Sequence, residues 1–185
     1  ECKKVIEMEV ISIIDPKSYA MHSTRNKYGE LFFKKRQRKG FNAYEANKIM
    51  RDRNYYGCMM VETGDADAMI SGLSKNYPDT IKPALQIIGM EEGAKKVAGM
   101  YIMMTKKGPI FLADTTVNFN PTAEELADIT LLVAREVRNF GITPVIAMLS
   151  YSNFGSSNSP EAKLVACARD IVKEKDPTLI VDGEL

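Results

Sequence analysis

Two hydrophobic rhythms run through the chain: short unbroken apolar runs, and stripes of apolar residues spaced three or four apart. The first predicts strands and the second helices, and they alternate in chain order. Val5 to Ile14 alternates and then runs apolar up to Asp15-Pro16, a strand ended by a turn. Ser18 to Arg38 predicts a helix that closes on Lys34-Lys-Arg-Gln-Arg-Lys39 and Gly40. Asn42-Ala-Tyr-Glu45 has the spacing of a capping box, which predicts a second helix to about Arg53. Tyr56 to Val61 reads as a buried strand. Pro78 to Met90 reads as a helix with Pro83 in its first turns and Leu85, Ile87 and Ile88 on its core face.

Ala98 to Thr105 and Ile110 to Thr116 flank Lys106-Lys-Gly-Pro109, the pattern of a β-hairpin. Its methionines, Met100, Met103 and Met104, read as adaptable core. Asn120-Pro121 opens a long helix with Glu124 and Glu125 in its first turn, Arg135 and Arg138 near its end, and Gly141 just beyond. Pro144 to Leu149 predicts a buried strand. A polar loop follows, then a helix from Pro160 to near Lys175 with Leu164, Ala168, Ile171 and Val172 on its apolar side, and a last strand over Thr178 to Val181. The alternation predicts an α/β fold with a mainly parallel sheet plus a β-hairpin.

Composition narrows the class. At 185 residues and 45% apolar, the chain can bury a sizeable core in one domain or two small ones. No apolar run approaches the roughly 20 residues of a membrane span, so a soluble protein with no membrane partner is expected. A net charge of +1 argues against a generally basic nucleic-acid binder. Cys2, Cys58 and Cys167 lie far apart, which suits buried thiols in a reducing cytoplasm better than a disulfide framework. With His22 the only histidine, neither a zinc site nor a Ser-His-Asp triad is expected, and no metal ligands are assigned. A chain that opens at Glu1 rather than Met reads as a piece of something longer.

Candidate chemistry gathers in three places. Ser150, Ser152, Ser156, Ser157 and Ser159 fall in the loop between the strand at 144–149 and the helix at Pro160, where helix N–H groups favour an anion. The same loop can also be read as a connection that only caps its helix through Ser159. The run Lys34 to Lys39 carries five positive charges, and is either a cationic C-terminal cap or an anion site for a nucleotide phosphate. In Gly64-Asp-Ala-Asp67, the two aspartates either cap a helix N-terminus or line a cleft together with the serine loop. The helix after Asn120 carries Leu126, Ile129, Val133, Val137 and Phe140 on one stripe and Leu131 and Leu132 on another. A central position would explain that, and so would a dimer interface, which is the reading preferred here.

Four segments together resemble the phosphotransacetylase (phosphate acetyl/butyryltransferase) family: Gly64-Asp-Ala-Asp-Ala-Met-Ile-Ser-Gly72, Asp114 to Leu126, Ala147 to Ser157 and Val181-Asp-Gly-Glu-Leu185. Within it, Ser152-Asn-Phe-Gly-Ser-Ser-Asn-Ser-Pro160 and Arg51-Asp-Arg-Asn-Tyr-Tyr-Gly57 are most similar to the version fused to the C-terminus of bacterial NADP-dependent malic enzymes. The resemblance implies a three-layer fold of two α/β subdomains around a cleft, here 1–75, incomplete at its N-terminus, and 76–185, with a homodimer or higher homo-oligomer formed through the second.

It also implies transfer of an acetyl group between coenzyme A and phosphate, in which the thiolate attacks the acetyl-phosphate carbonyl and phosphate departs. Arg36 matches the family arginine associated with coenzyme A. Ser150, Ser152, Asn153, Gly155, Ser156 and Ser157 match the phosphate and acyl loop, and Asp65, Asp67, Ser71 and Asn76 line the cleft. The chain departs from the pattern at Lys75-Asn76-Tyr77, where the family shows His-Ser-Thr, and at Asn153-Phe154, where it shows Thr-Lys. The family's Ser-Arg pair and aspartate base lie beyond the Asp182-Gly-Glu-Leu segment, so no catalytic residue is assigned. Two functions compete: a module that binds acetyl-CoA and regulates an N-terminal malic enzyme domain in cis, which the departures favour, and an active phosphate acetyltransferase. NADP and a divalent metal would belong to the malic enzyme domain alone.

Overall fold

The computed structural model describes residues 12–185, and its chain divides into two compact units, one ending at Gly89 and one spanning Met90–Leu185. Cys2 and residues 5–11 of the strand expected over Val5 to Ile14 lie outside the described residues. Residues 12–14 carry no regular structure.

The described part of the first unit is helical: α1 (His22–Arg36), a 3-10 turn (Gln37–Lys39), α2 (Ala43–Ile49), α3 (Arg53–Thr63) and α4 (Tyr77–Ile87). On α1 the buried positions Arg25, Tyr28, Gly29 and Phe32 recur every three or four residues. Tyr28 and Phe32 among them meet Ala46, Met50, Tyr55, Tyr56, Met59 and Ile87 in one core. Phe32 stands edge-on to Phe41 and Tyr55, at 5.0 and 5.8 Å between ring centroids, the arrangement that aromatic quadrupoles prefer. The expected capping box is present: Asn42 Oδ1 accepts from Glu45 N and Glu45 Oε2 from Asn42 N.

Several expectations fail in this unit. Tyr56 to Val61 is not a strand but the middle of α3, and the second helix ends at Ile49 instead of running to Arg53. A short apolar run does not distinguish strand from buried helix. Here the ends decide: the Asp52 carboxylate accepts from Asn54 N and Tyr55 N, and Gly64, in the left-handed region, closes the other end by donating to Met60 and Val61. Leu85 and Ile88 are exposed, whereas Pro83 and Ile87 face the core. The sequence division at 75/76 would place α4 with the second subdomain; in the structure α4 packs on α3 in the first unit.

The second unit holds β1 (Met100–Thr105), β2 (Gly108–Ala113), α5 (Ala123–Asn139), β3 (Val145–Met148), α6 (Pro160–Lys175) and β4 (Ile180–Gly183). β1 and β2 form the expected antiparallel hairpin, and β3 pairs with β4 in parallel, Val145 opposite Ile180 and Met148 opposite Gly183. The class is mixed α/β, but its sheets among the described residues are these two pairs rather than one mainly parallel sheet. Met103 and Met104 are exposed on the hairpin and not core. α5 starts two residues later than Asn120-Pro121 suggests, because the Thr122 hydroxyl and the Glu125 carboxylate form a capping box there.

Strand 144–149 is buried on one face only. Met148 and Val181 enter a core with Ala127, Ala134, Val165, Ala168, Val172 and Leu179, while Val145, Leu149 and Ile180 are exposed. α6 supplies Ala162, Val165, Ala168 and Val172 at helical spacing. Cys58 is buried as expected, but Cys167 is exposed on α6. No described helix is long and apolar enough to cross a membrane.

Candidate functional site

The serine loop joins β3 to α6 at the carboxyl end of the parallel pair. Ser159 caps α6, accepting from Ala162 N at 3.2 Å, and Pro160 takes the first helical position, where a missing N–H costs nothing. The capping reading is therefore satisfied by Ser159 alone. The rest of the loop is organised around a residue that the sequence reading passed over, Glu184.

Glu184 is 4% exposed and Ser152 3% exposed. The Glu184 carboxylate accepts the Gly155 N–H at 2.6 Å, the Ser152 hydroxyl at 2.9 Å and the Ser150 hydroxyl at 3.2 Å. Those donors, the Gly155 N–H foremost and then the two hydroxyls, outweigh burial and hold the carboxyl below the usual glutamate range, with the charge of Arg169 adding to the effect. Backbone bonds fix the same register: Ser150 N donates to Leu185 O, Leu185 N to Met148 O, and Phe154 N to Glu184 O. Gly183 is what lets this happen. Its φ is +148°, and a Cβ there would come within 2.5 Å of the Met148 carbonyl oxygen.

Within the loop, Ser152 Oγ accepts Ser157 N at 3.0 Å and lies 3.1 Å from Ser156 Oγ, which in turn accepts Asn153 N at 3.0 Å. Ser150 Oγ accepts Ser152 N, Ser157 Oγ accepts Ser159 N, and Asn153 O accepts Ser156 N. The N–H groups of residues 150, 152–157 and 159 thus all donate within the chain. An open pocket of about 340 Å³ adjoins the loop, lined by Phe154, Gly155, Lys163, Arg169 and Glu184 among others. Arg169 is committed on two sides, to the Gly183 carbonyl and to Asp170. Lys163 is exposed.

The other predicted site residues belong to the first unit. Arg36 ends α1, and its Nε is buried without a hydrogen-bond partner among the described residues. Its neighbour Lys35 is already used, by Glu62 and by the Ile87 carbonyl. Asp65 does not sit at a helix N-terminus. It follows the C-terminal end of α3 and accepts the Tyr28 and Thr63 hydroxyls, each at 2.6 Å. Burial, and then the bond to Asp65, push the Tyr28 phenol up to about 12. Asp67 is exposed, and likewise caps no helix. Ser71 Oγ donates to Asn54 Oδ1, and Asn76 caps α4 by accepting Asp79 N at 3.0 Å. Lys75 pairs with Asp52. Among the described residues, no group of three or more His, Cys, Asp or Glu could hold a metal ion.

A family model described as phosphate acetyl/butaryl transferase matches residues 1–185, the full length of the chain. The chain belongs to this phosphotransacetylase family. It is 43% identical over 140 residues to the phosphate acetyltransferase of Bacillus subtilis (strain 168), covering 76% of this chain and 43% of that protein. It is 40% identical over 155 residues to the NADP-dependent malic enzyme of Haemophilus influenzae, covering 83% of this chain and 20% of that protein. The crystal structure of a phosphotransacetylase from Streptococcus pyogenes superposes with a TM-score of 0.80 at 39% identity, over 94% of this chain and 52% of that one. The chain thus spans about half or less of the length of each.

Set in this family, the serine loop is the segment that the sequence singled out, and Glu184, Lys163 and Arg169 are what sequence reasoning missed. The signal for Glu184 was present in Val181-Asp-Gly-Glu184. A carboxylate just past a strand end meets whatever lies past the end of a parallel neighbour, but the pairing of β3 with β4 had to be known first.

Proposed function

We propose that this phosphotransacetylase-family chain is a module of an NADP-dependent malic enzyme, and that it binds acetyl-CoA or a related acyl-CoA as a regulatory ligand. The observation that carries this reading is the closed serine loop. Acetyl transfer to or from phosphate needs donors and cations free to hold the departing phosphate. Here the N–H groups of residues 150, 152–157 and 159 are committed within the chain, the Glu184 carboxylate lies among them, and no residue from 150 to 159 is cationic. Lys75 and Asn76, where the family pattern has small-anion ligands, serve an ion pair and a helix cap.

Anion recognition falls instead to Arg36. A guanidinium with an unused buried N–H is suited to a coenzyme A phosphate, which would complete its hydrogen bonding. α5 forms the self-association surface, with Leu131 and Leu132 lining an open pocket of about 350 Å³. The likeness to the malic enzyme supports the regulatory role, and the likeness to the acetyltransferase supports the alternative, an active phosphate acetyltransferase. The discriminating measurement is acetyl-phosphate formation from acetyl-CoA and phosphate by the intact protein. The regulatory reading expects none above background, with acetyl-CoA binding retained; turnover at an enzyme-like rate would establish the acetyltransferase.

A further inference from the structure

The second unit opens on a strap that is held to α5 by charged side chains. Glu91 pairs with Arg135 at 2.8 Å, Lys95 with Asp128 at 3.8 Å and Lys96 with Glu125 at 2.8 Å, so residues 91–96 run antiparallel to the helix. The strap's main-chain bond, Ala94 N to Glu91 O at 3.0 Å, is internal, and among the described residues no hydrogen bond joins its backbone to α5. Nor is the space between them filled. Leu131 and Leu132 line one wall of the open pocket of about 350 Å³, and Gly93, Ala94 and Lys95 line another. Ion pairs near the surface contribute little each and weaken with salt.

The face under the strap is self-complementary. Along α5, on the side away from the buried Ala134 and Val137, the order is Glu125, Asp128, Leu131, Leu132, Arg135, Arg138: acids, then leucines, then bases. A second copy of α5 laid antiparallel, with the twofold axis between Leu131 and Leu132, would set Asp128 against the partner's Arg135 and Glu125 against the partner's Arg138, with leucine on leucine. The strap offers charges in that same order, cations for Glu125 and Asp128 and an anion for Arg135, but only Gly93 and Ala94 for the leucines. We infer that strap 91–96 is an internal stand-in for the second copy: it occupies the charges of this face in the lone chain, and self-association displaces it. The two contacts use the same Glu125, Asp128 and Arg135 groups and so exclude one another. Asp128 keeps Lys175 of α6, at 2.6 Å, in either state, so the exchange leaves the packing of α6 on α5 alone. Burial of the leucines favours the pair of copies, and the charges of the strap oppose it.

The inference rests on the reading of α5 as the self-association surface, yet the two can fail separately. Sedimentation velocity of the intact protein at fixed ionic strength would compare wild type with Glu91→Gln/Lys95→Gln/Lys96→Gln, which strips the strap of charge and leaves α5 untouched. With two straps released per pair of copies, the variant is expected to self-associate at least about tenfold more tightly. Glu91→Gln alone should move association the same way by a smaller factor. In wild type, trypsin should cut after Lys95 and Lys96 faster at concentrations where the protein is associated than where it is not, the reverse of the protection that burial in an interface gives. Association of the triple variant that is unchanged or weaker, or cleavage that association slows, would overturn the role of the strap. If Leu132→Lys loses the association while the neutral strap leaves it as it was, the interface survives and the stand-in does not; if Leu132→Lys changes nothing, both fall.

Discussion

Single residues act in this chain at two ranges, on their own turn of backbone and on segments that strand pairing or helix packing brings to them. Asn42 and Ser159 cap the helices expected of them, because a cap reaches only three residues along the chain. Glu184 was out of reach, since its partners lie about thirty residues back and depend on strand pairing. Gly29 is another such residue. Helix propensity alone says that alanine in the middle of α1 would stabilise it by about 1 kcal/mol. The structure reverses the sign: a Cβ at Gly29 would lie 1.9 Å from Asn47 Oδ1 and 3.0 Å from Asn47 Cα, where α2 crosses α1. Gly29→Ala is therefore expected to destabilise by about 1–3 kcal/mol, read from urea denaturation, and a gain in stability would refute the close approach. Tyr28 makes a prediction in pH. Its phenol is raised in the folded state, to about 12, above the roughly 10 of an unfolded tyrosine. The stability this confers is complete below pH ~10 and is lost as pH rises toward the folded value, because the unfolded chain gives up its proton first. Wild type should lose stability more steeply than Tyr28→Phe between pH ~10 and ~12; parallel alkaline profiles would show that Tyr28 is not the group.

Among the elements, those with signals at both ends were legible and those known only by an apolar run were not. The hairpin, α5 and α6 stand within three residues of expectation. Tyr56 to Val61 was misread because its two informative residues, Asp52 and Gly64, lie outside the run, while the buried pairs Asn54, Tyr55 and Cys58, Met59 repeat at four, a helical interval. α5 carries the element-scale prediction. Its two apolar stripes give the interface reading, and β2 packs on α5 with Phe111 meeting Phe140, the last residue of the first stripe, at 5.7 Å between centroids. Leu131 and Leu132 remain half-buried at an open pocket. A lysine at 132 would set a charge on that face without entering the core around Ala127 and Ala134. Sedimentation velocity of the intact protein should show a dimer or larger species, and Leu132→Lys a shift toward smaller ones. A monomeric wild type, or a variant with an unchanged distribution, would remove α5 from the interface.

For the whole molecule, composition and alternation gave the α/β class, and the motifs gave the family, but neither gave the sizes of the sheets or the state of the serine loop, which long-range pairing decides. What a family member does must then be argued from the residues that could hold its ligand, and the proposed role of Arg36 gives the sharpest test. Two readings of the basic run at 34–39 were open in the sequence. Lys34, Lys35 and Arg36 do occupy the last turn of α1, as helix-dipole compensation requires, and Lys35 has acidic and carbonyl partners. Arg36 differs from a solvated capping charge in holding a buried Nε with no acceptor among the described residues. A phosphate there would receive charge-assisted hydrogen bonds, which a fork-shaped guanidinium provides better than an ammonium. Arg36→Ala should weaken acetyl-CoA binding to the intact protein about ten- to a hundredfold, equivalent to about 1.5–3 kcal/mol. An effector and a distant active site communicate only through their different affinities for two states of the molecule. On the proposed regulatory reading, the substitution should therefore move the acetyl-CoA inhibition curve of malate oxidation to higher concentration while leaving turnover without acetyl-CoA unchanged. Arg36→Lys, which keeps the charge and loses the fork, should fall between. If the curves for wild type and Arg36→Ala superimpose, Arg36 is only a cap on α1, and the effector phosphate must be sought elsewhere.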